Sequence, residues 1–423
     1  MRLSRKHVLT YSATAITILT SFAMMWLINR SSGVDVYGKY VIILTVTSML
    51  TKFLSARTSE GVIKFFIEFD SIKSNRLKTL TLVYGHIIDL SLGLLLLGLS
   101  VIFSDYISLL FTKSTDISEP LILYSICVFL SFVKSTPTGF FQSIEKIGII
   151  NKVTIIENLI KVFLLLIFIY VLKWETSLLS VVMLCLISTI IPALYMWYEY
   201  IYEVYNGKFI CFNRSVSHVD FKERYIKFTI TTFLSSTLKS INLNGDTFIL
   251  GLFTSPSVVG IYDSLKKIVN VISFLSIPLP LLYASAFSKS YINRTLHVLW
   301  KKVIKINFLL VTISILVTVV IYQLFPFIMR YMNISENLDC EYIIMSISIM
   351  FNVIVWWGRI YSNVVNPIIS LKINIYISLF IVMVYPISVK TYQMSGLIIS
   401  TLILNLLIFL VYCYYAKREM KSE

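Results

Sequence analysis

Lysines inside apolar stretches are the residues whose type and position point to chemistry. A charged side chain at the centre of a membrane helix costs about 2.5–3.5 kcal/mol on insertion scales, so each one needs a reason. Two lysines have an acidic residue four positions earlier, which predicts neutralisation on the same helix: Glu157 precedes Lys161, and Asp263 precedes Lys267. The lysines without such a neighbour are Lys52, Lys134, Lys239 and Lys266.

Unpaired lysines around a wet cavity would form an anion site, because charges beside a low-dielectric wall attract anions strongly. The anions that a membrane protein meets at the bilayer include the phosphates and diphosphates of lipid carriers. The candidate substrate-binding residues are therefore Lys52, Lys134, Lys239, Lys266 and Arg359.

Two of these candidates also have structural interpretations. Lys239 lies near the middle of its helix, too deep for its ammonium group to reach the interface easily. It either binds substrate or pairs with Asp246 or Asp89 from another part of the chain. Arg359 fits an anchor at the cytoplasmic end of a helix as well as it fits a binding residue.

One polar stripe runs along the stretch from Thr232 to Ser273. Polar residues recur there at steps of three and four, which places them on one helix face. A break at Thr254–Ser257 divides the stretch into two helices. Since a membrane helix cannot point such a face at lipid, we predict that it lines a cavity. The residues of this stripe are Thr232, Ser235, Ser236, Lys239, Asn242, Asp246, Asp263, Lys266, Lys267, Asn270 and Ser273.

The composition predicts an all-α polytopic membrane protein. Hydrophobic residues make up 57% of the 423 residues and the mean hydropathy is +0.82, too apolar for a soluble globule. Apolar runs of about 17–25 residues, each able to cross about 30 Å of hydrocarbon, recur to the C-terminus and predict about twelve spans. The first two lie at about residues 8–28 and 37–56, and the last two at about 373–389 and 396–415.

The longest polar connection divides the chain near its middle. We predict an N-terminal six-helix half at residues 1–200, a cytoplasmic linker at 201–225 and a C-terminal six-helix half at 226–423. With the N-terminus in the cytoplasm, roughly 25 of the 37 Lys and Arg fall on the cytoplasmic side and about six outside. Both termini are therefore predicted to be cytoplasmic. The net charge of +15 is explained by these loops, so no nucleic-acid partner is predicted.

No set of residues indicates an enzyme. The five Cys are scattered without a CxxC motif or a Cys/His cluster, so neither a metal site nor a disulfide framework is expected. The four His lie far apart, and acidic residues do not cluster within a span. No cofactor is predicted, and no nucleotide-binding glycine loop is present. Energy would therefore come from an ion gradient or from downstream consumption of the product.

A weak internal repeat supports two related halves. Val36–Tyr40 lines up with Val258–Tyr262, and Phe53–Ser55 lines up with Phe274–Ser276 after a one-residue slip. Together with the six-plus-six layout, this predicts two parallel repeats about an axis along the membrane normal, as in transporters. Alternating access is the expected mechanism, with the two halves rocking about the cavity.

With these motifs, the chain resembles the Wzx-type O-antigen and polysaccharide flippases of the multidrug/oligosaccharidyl-lipid/polysaccharide (MOP) exporter superfamily. The similarity lies in Asn244–Gly251 followed by Val259–Tyr262, and in the first-half Tyr37–Tyr40. The motifs cover a few dozen residues, whereas the helix layout covers nearly the whole chain. The resemblance implies a MATE-like fold and a bacterial inner-membrane carrier of undecaprenyl-diphosphate-linked sugar repeat units.

The resemblance also implies roles for individual residues. The lysines would receive the diphosphate or acidic sugars, and Asp246 and Asp89 are candidates for proton or sodium coupling. The implied partners are the lipid-linked sugar, the lipid bilayer and other polysaccharide-assembly membrane proteins. Drug-exporting relatives tend to carry acidic cavities, whereas lysines outnumber buried acids here, which favours an anionic cargo.

Two other functions remain open. A membrane-bound polymerase or ligase of the same pathways has a similar number of spans. Such enzymes usually carry a large periplasmic loop with basic residues, whereas the outside loops predicted here are short. A drug or sugar exporter of another fold is the second alternative.

Overall fold

Helices account for the regular structure of the described part of this chain. The computed structural model describes residues 5–172, 177–207, 223–226, 228, 242–277, 279–280, 283, 287, 290, 296–334, 336–358, 360 and 367–420. The chain divides into two compact units, Met1–Ser240 and Ile241–Glu423. The limits predicted for the two halves and their linker stay predictions.

The first unit is built from long helices joined by short turns. α6 continues into a π-helical turn at Ile167–Val171. The helices of this unit in the described part are α1 (Arg5–Leu54), α2 (Thr58–Ser71), α3 (Asn75–Thr112), α4 (Ser118–Val133), α5 (Ser135–Ser143), α6 (Ile147–Leu166) and α7 (Leu178–Asn206).

The second unit contains both short and very long helices. α9 continues into a 3-10 turn at Val271–Leu275. Its main helices in the described part are α8 (residues 242–253), α9 (Pro256–Asn270), α10 (Leu296–Tyr331), α11 (Asp339–Ile354) and α12 (Pro367–Met420).

Two helices are too long to be single membrane spans. At 1.5 Å per residue, the 50-residue α1 would be about 75 Å long if straight, more than twice the hydrocarbon thickness. It is broken at Gly33, whose φ of 85° favours a residue without a Cβ. The 54-residue α12 is broken in the same way at Gln393, with φ 49°. The first two and last two predicted spans lie on either side of these breaks.

The structure confirms an apolar, multi-pass helical protein. Eight segments of the described residues are long and apolar enough to cross a membrane, and two of them contain the breaks in α1 and α12. Large apolar side chains such as Phe308, Leu316 and Val320 of α10 are exposed, as expected of a surface that faces lipid. The count of twelve spans and the cytoplasmic position of the termini stay predictions.

The helical path is interrupted between α4 and α5. Lys134 separates these helices, three residues before Pro137. Pro137 has no N–H to donate to the carbonyl of Val133, so the helical ladder is interrupted there. The interruption brings Lys134 and the first turn of α5 into the interior of the unit.

α2 is an amphipathic helix separate from α1. It begins after Arg57, which has a left-handed backbone with φ 48°. Gly61 and Phe65 are buried, while Lys64 and Ile67 are exposed. The helix therefore packs one face against the unit and leaves the other open.

The residues that end the predicted linker pack on α2. The ring of Tyr225 lies 5.3 Å from that of Phe65, and a Cβ on Gly61 would lie 3.3 Å from the Tyr225 hydroxyl. Arg224 Nη2 lies 2.8 Å from Glu68 Oε1. These contacts join the C-terminal end of the linker to the first unit.

Ion pairs of the first unit link helices to loops and helix ends that are distant in sequence. Lys39 Nζ lies 3.1 Å from both Asp35 and Asp116. The hydrogen bond from Lys39 holds the pKa of the exposed Asp116 below its usual value. Lys146 Nζ lies 2.5 Å from Glu203 Oε1 at the end of α7. In the predicted topology, the Asp116 connection is outside and the Lys146 connection is cytoplasmic.

The structure of each unit supports the internal repeat. The second helical stretch follows Gly33 in the first unit and Ser255 in the second. It ends at Leu54 in one unit and at Leu275, after the 3-10 turn, in the other. Leu54 and Leu275 are paired by the sequence alignment, so the two stretches correspond at their C-terminal ends.

The packing of α5 on α2 depends on Gly139. A Cβ at this position would lie 2.6 Å from the carbonyl oxygen of Ser59 and 2.9 Å from Cβ of Val62. Side chains pack around this contact, including buried Phe140 and Phe66 with ring centroids 5.5 Å apart. The close approach of two backbones therefore requires glycine.

Gly139→Ala is expected to lower the free energy of unfolding by about 1–3 kcal/mol, because the new methyl group must push α5 away from α2. The measurement is the midpoint of thermal unfolding in detergent. Gly98→Ala is the matched control, since a Cβ on Gly98 in α3 meets nothing within 4 Å. Equal midpoints for the two variants would contradict the close-approach argument.

Candidate functional site

Asp89 of α3 is buried and joins the first turns of two other helices. Its Oδ2 accepts hydrogen bonds from the backbone N–H of Thr136 at 2.9 Å and from the Thr136 hydroxyl at 2.6 Å. Its Oδ1 accepts a hydrogen bond from the hydroxyl of Thr58. Thr58 opens α2, and Thr136 lies in the first turn of α5. A carboxylate at helix N-termini is favoured by the unpaired N–H groups and by the helix dipole.

A cluster of three charged residues lies next to this junction. Lys134 Nζ lies 2.9 Å from Glu157 Oε2, and Lys161 Nζ lies 3.8 Å from Glu157 Oε1. The side chains of Lys134, Glu157 and Lys161 are 13%, 22% and 21% exposed. Two ammonium groups therefore share one carboxylate, and the cluster carries one excess positive charge.

Asparagine and threonine side chains join α1 to α6. Asn151 Nδ2 donates to the Thr10 hydroxyl at 3.0 Å, and Asn158 Nδ2 donates to the Thr17 hydroxyl at 3.1 Å. Both pairs repeat after seven residues, the spacing at which packed helices face each other again. Thr10 and Thr17 of α1 therefore hold the neighbouring helix α6 through their hydroxyl groups.

The second unit has an ionic cluster between α8 and α9. Asp246 Oδ2 accepts hydrogen bonds from the Tyr262 hydroxyl at 2.7 Å and from Lys266 Nζ at 2.5 Å. The side chains of Asp246 and Lys266 are 14% and 25% exposed, and Tyr262 is buried. At the adjacent positions of α9, Lys267 Nζ lies 3.0 Å from Asp263 Oδ2, as the spacing of four predicted.

Asn242, another member of the predicted stripe, contacts α12. Its Nδ2 donates to Asn374 Oδ1 at 3.2 Å, and its Oδ1 accepts a hydrogen bond from the Ser378 hydroxyl at 2.9 Å. Asn242 is thus bonded within the protein. This part of the stripe serves helix packing in the described structure.

The prediction that Lys134 and Lys266 are unpaired is wrong. Each has a carboxylate partner from a different helix, Glu157 for Lys134 and Asp246 for Lys266. The spacing rule that revealed the Lys161 and Lys267 pairs applies only within one helix and cannot find partners about twenty residues away. Asp246, the ion-coupling candidate of the second unit, therefore has Lys266 as its partner.

The other sequence-predicted site residues are not brought into these clusters. Lys52 lies half-buried in the last turn of α1. Lys239 and Arg359 lie outside the described residues. A role of any of these lysines or of Arg359 in substrate binding, and of Asp89 or Asp246 in ion coupling, stays a prediction.

The sequence analysis missed the hydroxyl groups that hold Asp89. The Thr58 hydroxyl lies 2.7 Å from the Ser135 hydroxyl, so both join the Thr136 contact in one network. Ser135, Thr136 and Pro137 form a helix-start signal that would have located the beginning of α5. Their contact with Asp89 could not be predicted from neighbouring residues in the sequence, because 47 residues separate Thr136 from Asp89.

Two open cavities lie in the second unit. One, of about 620 Å³, lies between the ends of α10 and α11 and is lined by Arg330, Glu336 and Asp339 among others. The other, of about 630 Å³, is bordered by Glu341 and the break at Gln393. The described residues that line these two cavities include no lysine.

Asp89→Asn is expected to lower the free energy of unfolding by about 1–3 kcal/mol, because the amide NH2 cannot accept the hydrogen bonds that one carboxylate oxygen now accepts. Thermal unfolding in detergent is the measurement. Asp105→Asn, at an exposed position on the same helix, is the control and should be neutral. The junction would be unimportant for stability if both variants melted at the wild-type temperature.

Lys266→Met is expected to destabilise the second unit more than the double variant Asp246→Asn/Lys266→Met does. The single change leaves a largely buried carboxylate without its ammonium partner, whereas the double change removes both charges. We expect a coupling of about 1–2 kcal/mol in a double-mutant cycle followed by thermal unfolding. The same cycle on the exposed Arg57–Glu60 pair should give about 0.5 kcal/mol or less. Additive effects of Asp246 and Lys266 would exclude the pair.

The sequence profile of the family described as polysaccharide biosynthesis protein matches residues 3–280 of this chain. A search of curated protein sequences found no match.

The fold is similar to that of solved transporters. An inward-facing multidrug resistance MATE family transporter of the MOP superfamily matches with a TM-score of 0.73 and 14% identity, over 96% of this chain and 95% of that chain. The lipid II flippase MurJ in an inward closed conformation matches with a TM-score of 0.74 and 15% identity, over 97% and 87%. A MOP superfamily transporter from Pyrococcus furiosus matches with a TM-score of 0.57 and 13% identity, over 99% and 96%.

Because the identities are low, the similarity to these structures establishes the fold alone. The family profile covers about two thirds of the chain and includes all of the first unit's described helices. The chain belongs to the polysaccharide biosynthesis protein family, and it has the membrane-embedded helical fold of the MOP superfamily transporters.

Proposed function

We propose that this protein moves an undecaprenyl-diphosphate-linked oligosaccharide, an O-antigen or capsule repeat unit, from the cytoplasmic to the periplasmic leaflet of the bacterial inner membrane. The observation that carries the proposal is the match of residues 3–280 to the polysaccharide biosynthesis protein family. The fold similarity to a lipid II flippase agrees with a lipid-linked cargo. A membrane polymerase or ligase receives no support from these similarities.

The positive charges outside the ion-pair clusters support an anionic cargo. Within the clusters of the two units, four lysines are balanced by four acids, and Lys52 of α1 is a further cation outside them. Lys239 and Arg359 would increase the excess. Positive charge beside a low-dielectric wall raises the local concentration of anions such as a diphosphate. The four lysines of the clusters are Lys134, Lys161, Lys266 and Lys267, and the four acids are Asp89, Glu157, Asp246 and Asp263.

Alternating access is the proposed mechanism. MATE family transporters of this fold have been solved in inward-facing and outward-facing conformations. A carrier that exposes one site to each leaflet in turn needs no catalytic group. Asp246 would couple an ion only after leaving Lys266, whereas the donors to Asp89 among the described residues are the uncharged groups of Thr58 and Thr136.

A small-molecule exporter is the second candidate, because a multidrug resistance transporter matches the fold as well as the flippase does. The two candidates differ in what accumulates when the protein is absent. A blocked flippase leaves lipid-linked sugars on the cytoplasmic face, whereas a blocked exporter leaves them unaffected.

The test is deletion of the gene in its host, followed by an assay of lipid-linked sugars in each leaflet. We expect undecaprenyl-linked repeat units to accumulate on the cytoplasmic face and surface polysaccharide to disappear. Single repeat units that reach the periplasm without being joined would instead establish the polymerase or ligase alternative. Unchanged sugars in both leaflets would favour the exporter.

Complementation of the deletion strain tests the lysines. We expect Lys134→Ala to reduce surface polysaccharide at least about tenfold at equal membrane levels. The change removes one of the two ammonium groups that lie beside Glu157 and that would attract an anion. Lys146→Ala is the matched control, because Lys146 also pairs with a glutamate but lies exposed at a helix connection. Wild-type polysaccharide with Lys134→Ala would contradict the role of this lysine.

A further inference from the structure

Glu157 holds two ammonium groups that come from different parts of the first unit. Lys134 lies at the break between α4 and α5, and Lys161 lies one turn along α6 from Glu157 itself. Each carboxylate oxygen faces one of them, Oε2 towards Lys134 at 2.9 Å and Oε1 towards Lys161 at 3.8 Å. One anionic group with two oxygens thus bridges two lysines.

A phosphate presents the same chemistry to the two lysines. It offers several charged oxygens on one atom, and lysine binds phosphate as a point charge without demanding a fixed angle. A diphosphate carries more negative charge than one carboxylate, so it would neutralise the two ammonium groups more completely. All three side chains are partly exposed, so the cluster is not sealed inside the protein.

The side-chain carboxylate can leave without disturbing the backbone. Glu157 lies in the middle of α6, where its backbone hydrogen bonds do not depend on its side chain. The Lys134 backbone is held independently, because its N–H bonds to Leu130 and its carbonyl accepts from Thr138. Rotation of the Glu157 side chain would therefore expose both lysines and leave the helices in place.

We propose that the Glu157 carboxylate is a resident anion that a phosphate of the lipid-linked substrate displaces from Lys134 and Lys161. This inference rests on the proposed function and assigns the phosphate subsite to this cluster. In the empty carrier the carboxylate neutralises one of the two positive charges, and in the loaded carrier the phosphate takes its place beside the lysines. Neither state then leaves two uncompensated ammonium groups inside the membrane, which would be costly.

The competition predicts that removing the Glu157 charge strengthens anion binding. The test uses purified full-length protein in an uncharged detergent, titrated calorimetrically with geranyl diphosphate as the probe. We expect Glu157→Gln to bind the probe about tenfold more tightly than wild type, a difference of about 1.4 kcal/mol. Lys134→Ala and Lys161→Ala should each bind about tenfold more weakly.

The Lys146–Glu203 pair supplies matched controls. Glu203→Gln and Lys146→Ala change the same residue types in an ion pair of the same unit, and both should leave probe binding unchanged. Glu157→Ala is the second variant, used if Glu157→Gln does not elute as a folded protein in gel filtration. It should also bind more tightly than wild type.

Weaker or equal binding by both Glu157 variants would overturn the proposal, because Glu157 would then only hold the lysines in position. Wild-type binding by both lysine variants would also overturn it, and so would the absence of binding by wild type and Glu157 variants alike. Binding by the Glu157 variants with none detectable for wild type would support it.

Two further titrations distinguish the source of the phosphate. Inorganic diphosphate tests the head group alone, and phosphatidylglycerol tests an ordinary anionic lipid. Tighter binding of geranyl diphosphate than of either supports the lipid-linked substrate, whereas preference for phosphatidylglycerol would overturn that assignment. The leaflet assay of the deletion strain is independent of this site. Accumulated lipid-linked sugars with no probe binding would reject the subsite and leave the flippase function standing.

Discussion

The structure depends on the requirement that each charged side chain within the bilayer lies next to a group of opposite charge. Water is not available to compensate an isolated ammonium or carboxylate there, and the cost amounts to several kcal/mol. Lys134 and Lys266 each meet this requirement through a carboxylate from another helix. In the proposed binding of the substrate, an incoming phosphate would replace an internal carboxylate as the partner of the lysines.

Broken helices and polar side chains depend on each other in the first unit. A helix that begins inside the membrane leaves N–H groups that need an acceptor. Asp89 supplies one for Thr136 in α5 and also binds the side chain of Thr58 in α2. The same break places Lys134 where Glu157 can reach it. An interruption of this kind would be energetically unfavourable in a helix that faces lipid. Here it brings polar groups together in the interior of the unit.

Much of the fold could be predicted because its signals are local. Apolar length predicted the spans, Asn29–Gly33 predicted the first turn, and a spacing of four predicted the Lys267–Asp263 pair. The pairing of Lys134 with Glu157 could not be predicted in this way, since 23 residues separate them. Periodicity tells which face of its helix a residue occupies, but not which helix lies opposite. That information resides in packing, such as the approach that Gly139 permits.

The corresponding tyrosines of the two units hold different partners. Tyr40 places its hydroxyl 3.4 Å from the sulfur of Cys185, whereas its counterpart Tyr262 donates to the carboxylate of Asp246. A duplicated ancestral segment would have begun with the same contact in both copies. In the structure this tyrosine has a neutral partner in one unit and a charged partner in the other. A carrier with two such copies can adapt to a new cargo through changes in one copy, while the other copy preserves the scaffold.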